Sequence, residues 1–344
     1  MRRVLRPALL AAGPIALLVG AASAQTPGQA ATQPPGPVAD TASIWTIQVE
    51  NDAVSTLKGT SDQYYTSGLR LGWTSGADAI DPIAAFGHSV WGDGTTRVSL
   101  ELSQSLFTPR NTQIDPPNPL DRPYAGELLL TGGLIHDTAD TRDLVSLSLG
   151  VVGPAALGEE VQNGFHDIIG DTPNRGWHYQ VPDQPAVNLL VQRTWRLPLA
   201  QLGPLETDVL PEVTAAGGDV RDYVQLGTVA RIGQGLGSDF GTSRIEPGLN
   251  GSDAYTNTQP IAWYAFAGVD GQAVGYDVSL DGSTFRNNTP SVHRTWDVGE
   301  IEGGLAIMAF GLRVSYTQTW QTQEFRGAKS GLFNFGSLTV SAKF

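Results

Sequence analysis

From residue 43 onward the chain alternates apolar and polar positions with a period of two, the spacing of a strand with one apolar face. In 43–53, Trp45, Ile47 and Val49 fall on one side and Thr46, Gln48, Glu50 and Asp52 on the other. In 63–75, Tyr65, Leu69, Leu71 and Trp73 share a face opposite Thr66, Arg70 and Thr74. Segment 97–107 sets Val98, Leu100 and Leu102 against Ser99, Glu101 and Ser103, and 143–153 sets Val145, Leu147, Leu149 and Val151 against Ser146 and Ser148. The last segment, 333–344, sets Leu338, Val340, Ala342 and Phe344 against Ser337, Thr339, Ser341 and Lys343. The pattern predicts strands at about 43–53, 63–75, 96–107, 125–135, 143–153, 185–196, 205–216, 223–233, 260–282, 295–309, 311–322 and 333–344, which makes twelve when 260–282 is one long strand.

Alternation by itself would also fit a soluble sandwich. Strand length points elsewhere, because crossing a bilayer takes ~9–11 tilted residues and several segments reach that. Trp45, Trp73, Trp195, Trp263 and Trp320 lie within the strands, where interfacial girdles need them. The final alternating strand closes on Phe344, the terminal aromatic used by outer-membrane barrels. A sheet in lipid cannot leave backbone groups unpaired at an edge. The expected fold is therefore all-β, an antiparallel up-and-down transmembrane β-barrel of about twelve strands covering 43–344. With both ends facing the periplasm, the strand number must be even. Two connections sit awkwardly in this scheme: 234–259 and 76–95 are long on the side where turns are short.

The start of the chain agrees with export. Arg2, Arg3 and Arg6 precede an apolar run from Ala8 to Val19, interrupted by Gly13 and Pro14, and Ala22-Ser23-Ala24 follows. Residues 1–24 read as a signal peptide cleaved before Gln25, since the run is shorter than the ~20 residues of a spanning helix. Residues 25–42, rich in Gln, Pro, Ala and Thr, read as a disordered lead. There is no cysteine, which suits passage through the periplasm without disulfide chemistry. The 34 acidic residues outnumber the 21 basic ones, which argues against a nucleic-acid partner. A phosphorylated lipid stays open as a partner, because divalent cations bridge anions. The expected location is the bacterial outer membrane, as a monomer.

Strand parity assigns ends. The first strand rises and finishes at Asn51-Asp52, the second begins at the outer side near Thr66, and the fifth rises to Gly153 ahead of the outer segment 154–184. In that segment, residues 159–169 read as a short helix, with Gln162 and His166 four apart on one face. Asn51, Asp52, Thr66, Gln162 and His166 thus gather at the outer rim, and Asp52 and Thr66 carry the lumen-facing parity of their strands.

The motifs at these positions resemble those of the outer-membrane lipid A 3'-O-deacylase family. They are Asn51-Asp52, Tyr65-Thr66-Ser67-Gly68-Leu69, Thr108-Pro109 and Asp121-Arg122-Pro123-Tyr124-Ala125-Gly126. A longer block follows, from Gly150-Val151-Val152-Gly153-Pro154 through Glu160-Val161-Gln162-Asn163 and His166 to Ile168-Ile169-Gly170. The resemblance implies calcium-dependent hydrolysis of an acyl ester of lipid A, the lipid anchor of lipopolysaccharide, at the outer leaflet. It implies His166 as general base on water, Gln162 beside it, Asn51 and Thr66 lining the site, and Asp52 as a calcium carboxylate. It also implies a basic residue after Thr108-Pro109, where Arg110 stands displaced, and an acidic residue after the helix, for which Asp171, one position off, is nearest. The chemistry is coherent: a neutral imidazole takes a proton from water near neutral pH, and Ca²⁺ prefers oxygen ligands and stabilises developing negative charge.

The remaining polar residues have plainer readings. His88 and His136 fall toward the periplasmic side, His178 at the start of the sixth strand and His293 in an outer loop. Gln48 and Glu50 read as lumen residues, Arg70 and Glu101 as an interior charge network, and Asp121-Arg122 as loop structure. Glu159 and Glu160 suit the first turn of a helix, where negative charge is favoured. Two other functions fit the same barrel. One is a phospholipase with a Ser-His pair, for which Ser67 would be the serine and Ser67→Ala the discriminating variant. The other is a porin or structural barrel, which conductance without acyl release would reveal.

Overall fold

The computed structural model describes residues 40–52 and 63–344, all within one compact unit, Pro37–Phe344. The predicted signal peptide and residues 25–39 of the predicted lead lie outside the described residues. Residues 40–42 were expected to be disordered with that lead, yet they are held. The Asp40 carboxylate pairs with Lys343, its carbonyl accepts from Ala77 N at 2.8 Å, and its Oδ1 accepts from Ala42 N at 3.1 Å.

The strands follow the alternation. They are β1 (Ile44–Asn51), β2 (Tyr64–Thr74), β3 (Thr95–Thr108), β4 (Ala125–Asp137), β5 (Thr141–Val152), β6 (Gln184–Trp195), β7 (Leu197–Leu202), β8 (Leu205–Gly218), β9 (Arg221–Gln234), β10 (Ile261–Asp277), β11 (Asp297–Ala309), β12 (Leu312–Gln321) and β13 (Phe333–Lys343). Each pairs antiparallel with its neighbours, and β1 pairs with β13 from Ile44↔Lys343 to Asn51↔Gly336, which closes the sheet. β6 and β7 form one stave against β8: Thr194↔Glu212 and Leu197↔Val209 share one register across the break at Arg196, and the register shifts by one between Pro198 and Gln201. The result is a closed barrel of twelve staves. The predicted strand 260–282 ends earlier, at Asp277, where the carboxylate caps the short helix α3 (Val278–Asp281) by accepting from Ser279 N at 2.9 Å.

Outward positions are apolar and exposed, among them Ile47, Leu71, Leu100, Leu102, Leu130, Leu147 and Val340. This is the face that lipid covers. Trp45 and Trp73, directly paired across β1 and β2, point the same way at the periplasmic end. Inward positions are polar and buried. Arg70 meets Glu101 at 3.0 Å, as the interior charge network required, and the Thr46 and Ser341 hydroxyls lie 2.8 Å apart.

The long periplasmic connection after β9 has a clear physical role. It turns back and fills the lumen, and nearly every residue from 236 to 255 is buried. Its backbone and side chains supply hydrogen-bond partners to the polar wall. Glu50 accepts from Ile245 N at 2.9 Å and Glu246 N at 3.0 Å, and Gln48 donates to the Ser243 carbonyl at 2.9 Å. Arg70 reaches Asp253 at 2.8 Å, Arg244 reaches Glu300 at 2.6 Å, and Arg313 donates to the Ser252 carbonyl at 2.7 Å. Buried charges are tolerated only when paired, so wall and plug require each other. The other long periplasmic connection carries helix α1 (Asp81–Trp91), packed on the outside of the wall.

Candidate active site

The extracellular end of β1 supplies Asn51, half-buried, and Asp52, almost fully buried. Asp52 Oδ2 accepts from Gln63 N at 3.2 Å, so the carboxylate fixes the point where the chain returns to begin β2. Tyr64 then adopts φ 65°, a conformation unfavourable outside glycine. It is held by edge contacts with Phe325 at 5.4 Å and Phe333 at 5.8 Å.

A β-bulge follows. Tyr65 faces Phe107 and Ser67 faces Leu106, leaving Thr66 as the extra residue. A bulge shifts the alternation by one position, and this corrects two expectations. Tyr65, expected on the same face as Leu69 and Leu71, turns inward, is fully buried and donates to Glu50 at 2.8 Å. Thr66, expected to face the lumen, pairs its hydroxyl with that of Thr108 at 2.7 Å. Thr108 continues the outward alternation of Leu100 and Leu102 along β3.

The helix α2 (Gly158–Ile169) lies beside this position, on the outside of the wall. Leu106 has the outward parity of Leu100 and Leu102 yet is only 2 % exposed, because Trp177 and the start of α2 cover it. Gly158 permits the close approach: a Cβ there would stand 2.8 Å from the Trp177 ring and 3.1 Å from Leu106. Gln104, outward too, donates to the Ala156 carbonyl. The candidate site therefore sits between the barrel wall and α2, not in the lumen.

Glu159 and Glu160 occupy the first turn of α2, and Gly170 at φ 74° ends it. Gln162 and His166 are both 5 % exposed on the wall side, whereas Phe165, Ile168 and Ile169 are exposed. His166 Nδ1 lies 2.9 Å from the Thr172 carbonyl. A carbonyl only accepts, so Nδ1 carries the proton and Nε2 is the basic nitrogen. Trp177 Nε1 lies 2.9 Å from Gln162 Oε1. The indole only donates, so the amide is oriented without ambiguity, and Gln162 Nε2 is left as a buried donor with no partner among the described residues. Trp177 had no sequence signal of its own, being one aromatic in an irregular segment. Thr108 was visible only as part of a motif.

Asp171 is exposed, accepts from Thr172 N at 2.7 Å and donates its own N–H to the His166 carbonyl. It shapes the turn that presents the Thr172 carbonyl to the imidazole. Among the described residues no group of three or more His, Cys, Asp or Glu is placed to hold a metal ion, so Asp52, Asp171 and His166 do not form such a cluster. Asn51, Asp52 and Thr66 still offer the hard oxygen donors that Ca²⁺ takes.

Arg122 is a structural tie between outer loops. Its guanidinium lies 4.4 Å from the Phe107 ring, pairs with Glu324 and donates to Ser279 Oγ at 2.7 Å. Burial opposes its charge, but Glu324, Asp277 and Glu246 outweigh that and hold its pKa up. Arg110 is exposed, with its N–H on Asp121. His178 lies in a short 3-10 turn, Trp177–Tyr179, ahead of β6 and not within it.

The family model described as outer membrane protein LpxR matches residues 13–344. No curated protein sequence matches the chain. Among solved structures, LpxR from Salmonella typhimurium superposes with a TM-score of 0.72 at 22 % identity, covering 88 % of this chain and 100 % of that one. The β domain of the Bordetella autotransporter BrkA reaches a TM-score of 0.43 at 9 % identity, covering 90 % and 99 %. The translocator domain of NalP from Neisseria meningitidis reaches 0.38 at 12 %, covering 91 % and 90 %.

Proposed function

Because the chain belongs to the family of the outer membrane protein LpxR, we propose that it is a lipid A deacylase of the outer membrane that hydrolyses the 3'-linked acyl ester, with His166 as general base. The observation that carries this reading is the burial of Gln162 and His166 together on one face of α2, whose start packs on Leu106 of the outer wall two residues from Thr108, with an adjacent stripe that is apolar and exposed. A water-soluble substrate would have no use for Leu157, Phe165, Ile168 and Ile169 bordering the site. A lipid would lay its acyl chains along them and along the wall.

The residues divide the work. Water attacks the ester carbonyl carbon while its proton passes to His166 Nε2; the carbon–oxygen bond to the sugar then breaks, and the imidazolium returns the proton to the leaving alkoxide. Fatty acid and the free hydroxyl are the products. Thr172 holds the imidazole in the required tautomer. Gln162 Nε2, aligned by Trp177, donates a hydrogen bond to the carbonyl oxygen as negative charge develops there. Asp52, with Asn51 and Thr66, would hold Ca²⁺, and the ion would add Lewis-acid stabilisation at the same oxygen. Asp171 has its own local task and is left out of that set.

The test is mass spectrometry of lipid A from cells expressing the chain or His166→Ala. The intact chain should remove one ester-linked acyl group. The variant should give a heat-modifiable, folded barrel with acyl release lowered by ~10²–10⁴-fold, the usual contribution of a general base. Undiminished release by the variant would refute the assignment of the base, and unchanged lipid A with the intact chain would refute the activity.

A further inference from the structure

We infer that α1 is an in-plane membrane helix, seated in the phospholipid headgroup–acyl boundary of the periplasmic leaflet. The proposal is independent of the catalytic reading.

The first observation is where α1 packs. Gly87 faces the wall at Thr96 and His136, and a Cβ at Gly87 would stand 2.1 Å from the Thr96 hydroxyl and 3.0 Å from His136 Nδ1. Both are outward positions, on the face that bears exposed Leu100 and Leu102 on β3 and Leu130 on β4. Thr96 and His136 bond each other at 2.9 Å, and the Trp91 ring stacks on His136 at 5.6 Å, so α1 is fixed to the lipid-facing surface.

The second is height. α2 covers the same strand at Leu106. The ten residue steps of β3 from Thr96 to Leu106 run ~33 Å at ~3.3 Å each. Tilted by ~40°, that length spans ~25 Å, the height of the apolar band of an outer-membrane barrel. The two helices therefore bracket the band on one sector of the wall, one at each interface.

The third is the helix's own pattern. With Gly87 against the wall, the ~100° helical step places Ile83, Phe86 and Val90 on one flank and Asp81 and His88 on the other. Phe86 and Val90 are each more than half exposed, as is part of Ile80 just before the helix. His88 turns to the Gly94 carbonyl of the periplasmic turn. An amphipathic helix lying flat on a membrane has this arrangement. No Lys or Arg lies on α1, so apolar burial and not attraction to anionic lipid holds it.

The chain has no cysteine, so single labels are unambiguous. Phe86→Cys, Val90→Cys and Ser89→Cys would each carry a nitroxide in the full-length barrel, reconstituted in phosphatidylethanolamine–phosphatidylcholine vesicles. Collisions with oxygen and with a water-soluble nickel chelate would then be compared. Labels at 86 and 90 should shift toward oxygen and away from nickel, with the label at 89 toward nickel. Equal nickel access at 86 and 89 would put α1 in the periplasm and overturn the proposal. A label at 86 shielded from both reagents would assign the flank to a second copy of the chain and overturn it equally.

Discussion

At the residue scale, the site depends on two side chains that do no chemistry of their own. Trp177 settles which end of the Gln162 amide is left to donate, and the Thr172 carbonyl settles which nitrogen of His166 is basic. Replacing Trp177 by Phe keeps most of the ring packing against Leu106 and Tyr124 but removes the indole donor. A buried acceptor left without its donor costs ~1–3 kcal/mol, and the amide becomes free to invert. Acyl release by Trp177→Phe should fall on the order of tenfold, equivalent to ~1.4 kcal/mol of barrier, with the barrel still heat-modifiable. Restored release in Trp177→His, whose ring can also donate, would mark the hydrogen bond and not the ring volume as the cause. Calcium belongs at this scale too. Chelator added to the purified barrel should abolish release and excess Ca²⁺ should restore it; full activity in chelator would remove Asp52 from its assigned role. Gln162 and His166 were legible because a four-residue spacing on a short amphipathic helix is a local property. Trp177 was not, because its bond to Gln162 joins the helix to a segment with no pattern.

At the scale of elements, the bulge in β2 and the position of α2 decide where the candidate site sits. Strict alternation places Tyr65 outside and Thr66 inside, and one extra residue reverses both. The reversal connects Thr66 to Thr108 on the outer surface and supplies Tyr65 to the plug-facing Glu50. α2 then needs close contact with that surface, which Gly158 allows. Gly158→Val should force the helix off Trp177 and Leu106, costing ~1–3 kcal/mol as overpacking does. That cost falls on the docking of the helix and not on the closed ladder, so heat modifiability of the barrel should be nearly unchanged, with acyl release largely lost. A fully active variant would show that the helix need not lie against the wall.

At the scale of the molecule, closure and filling are separate achievements. The ladder from β1 to β13 closes the wall, and residues 236–255 occupy its interior. A barrel so plugged has no reason to conduct. In planar bilayers the intact chain should be silent, whereas a version with 240–256 replaced by a short Gly-Ser turn should give ion conductance. Because the candidate site is outside the wall, that version should, on the proposed function, retain acyl release if it folds, which heat modifiability will show. Conductance by the intact chain would instead favour a porin.

The pattern of residues was sufficient for the barrel and its twelve staves. The reason is that each strand crosses one slab of lipid, so its alternation and length answer to a local environment that repeats twelve times. The tertiary structure alone decided which side of the wall holds the candidate site and what the two long connections at the other end of the barrel do. A bulge is a single added residue whose effect appears only in the pairing of β2 with β3. The plug is held by ion pairs and hydrogen bonds between residues nearly two hundred positions apart, such as Glu50 with Ile245 and Glu246. No periodicity encodes such contacts, because they exist only once the wall has closed around them.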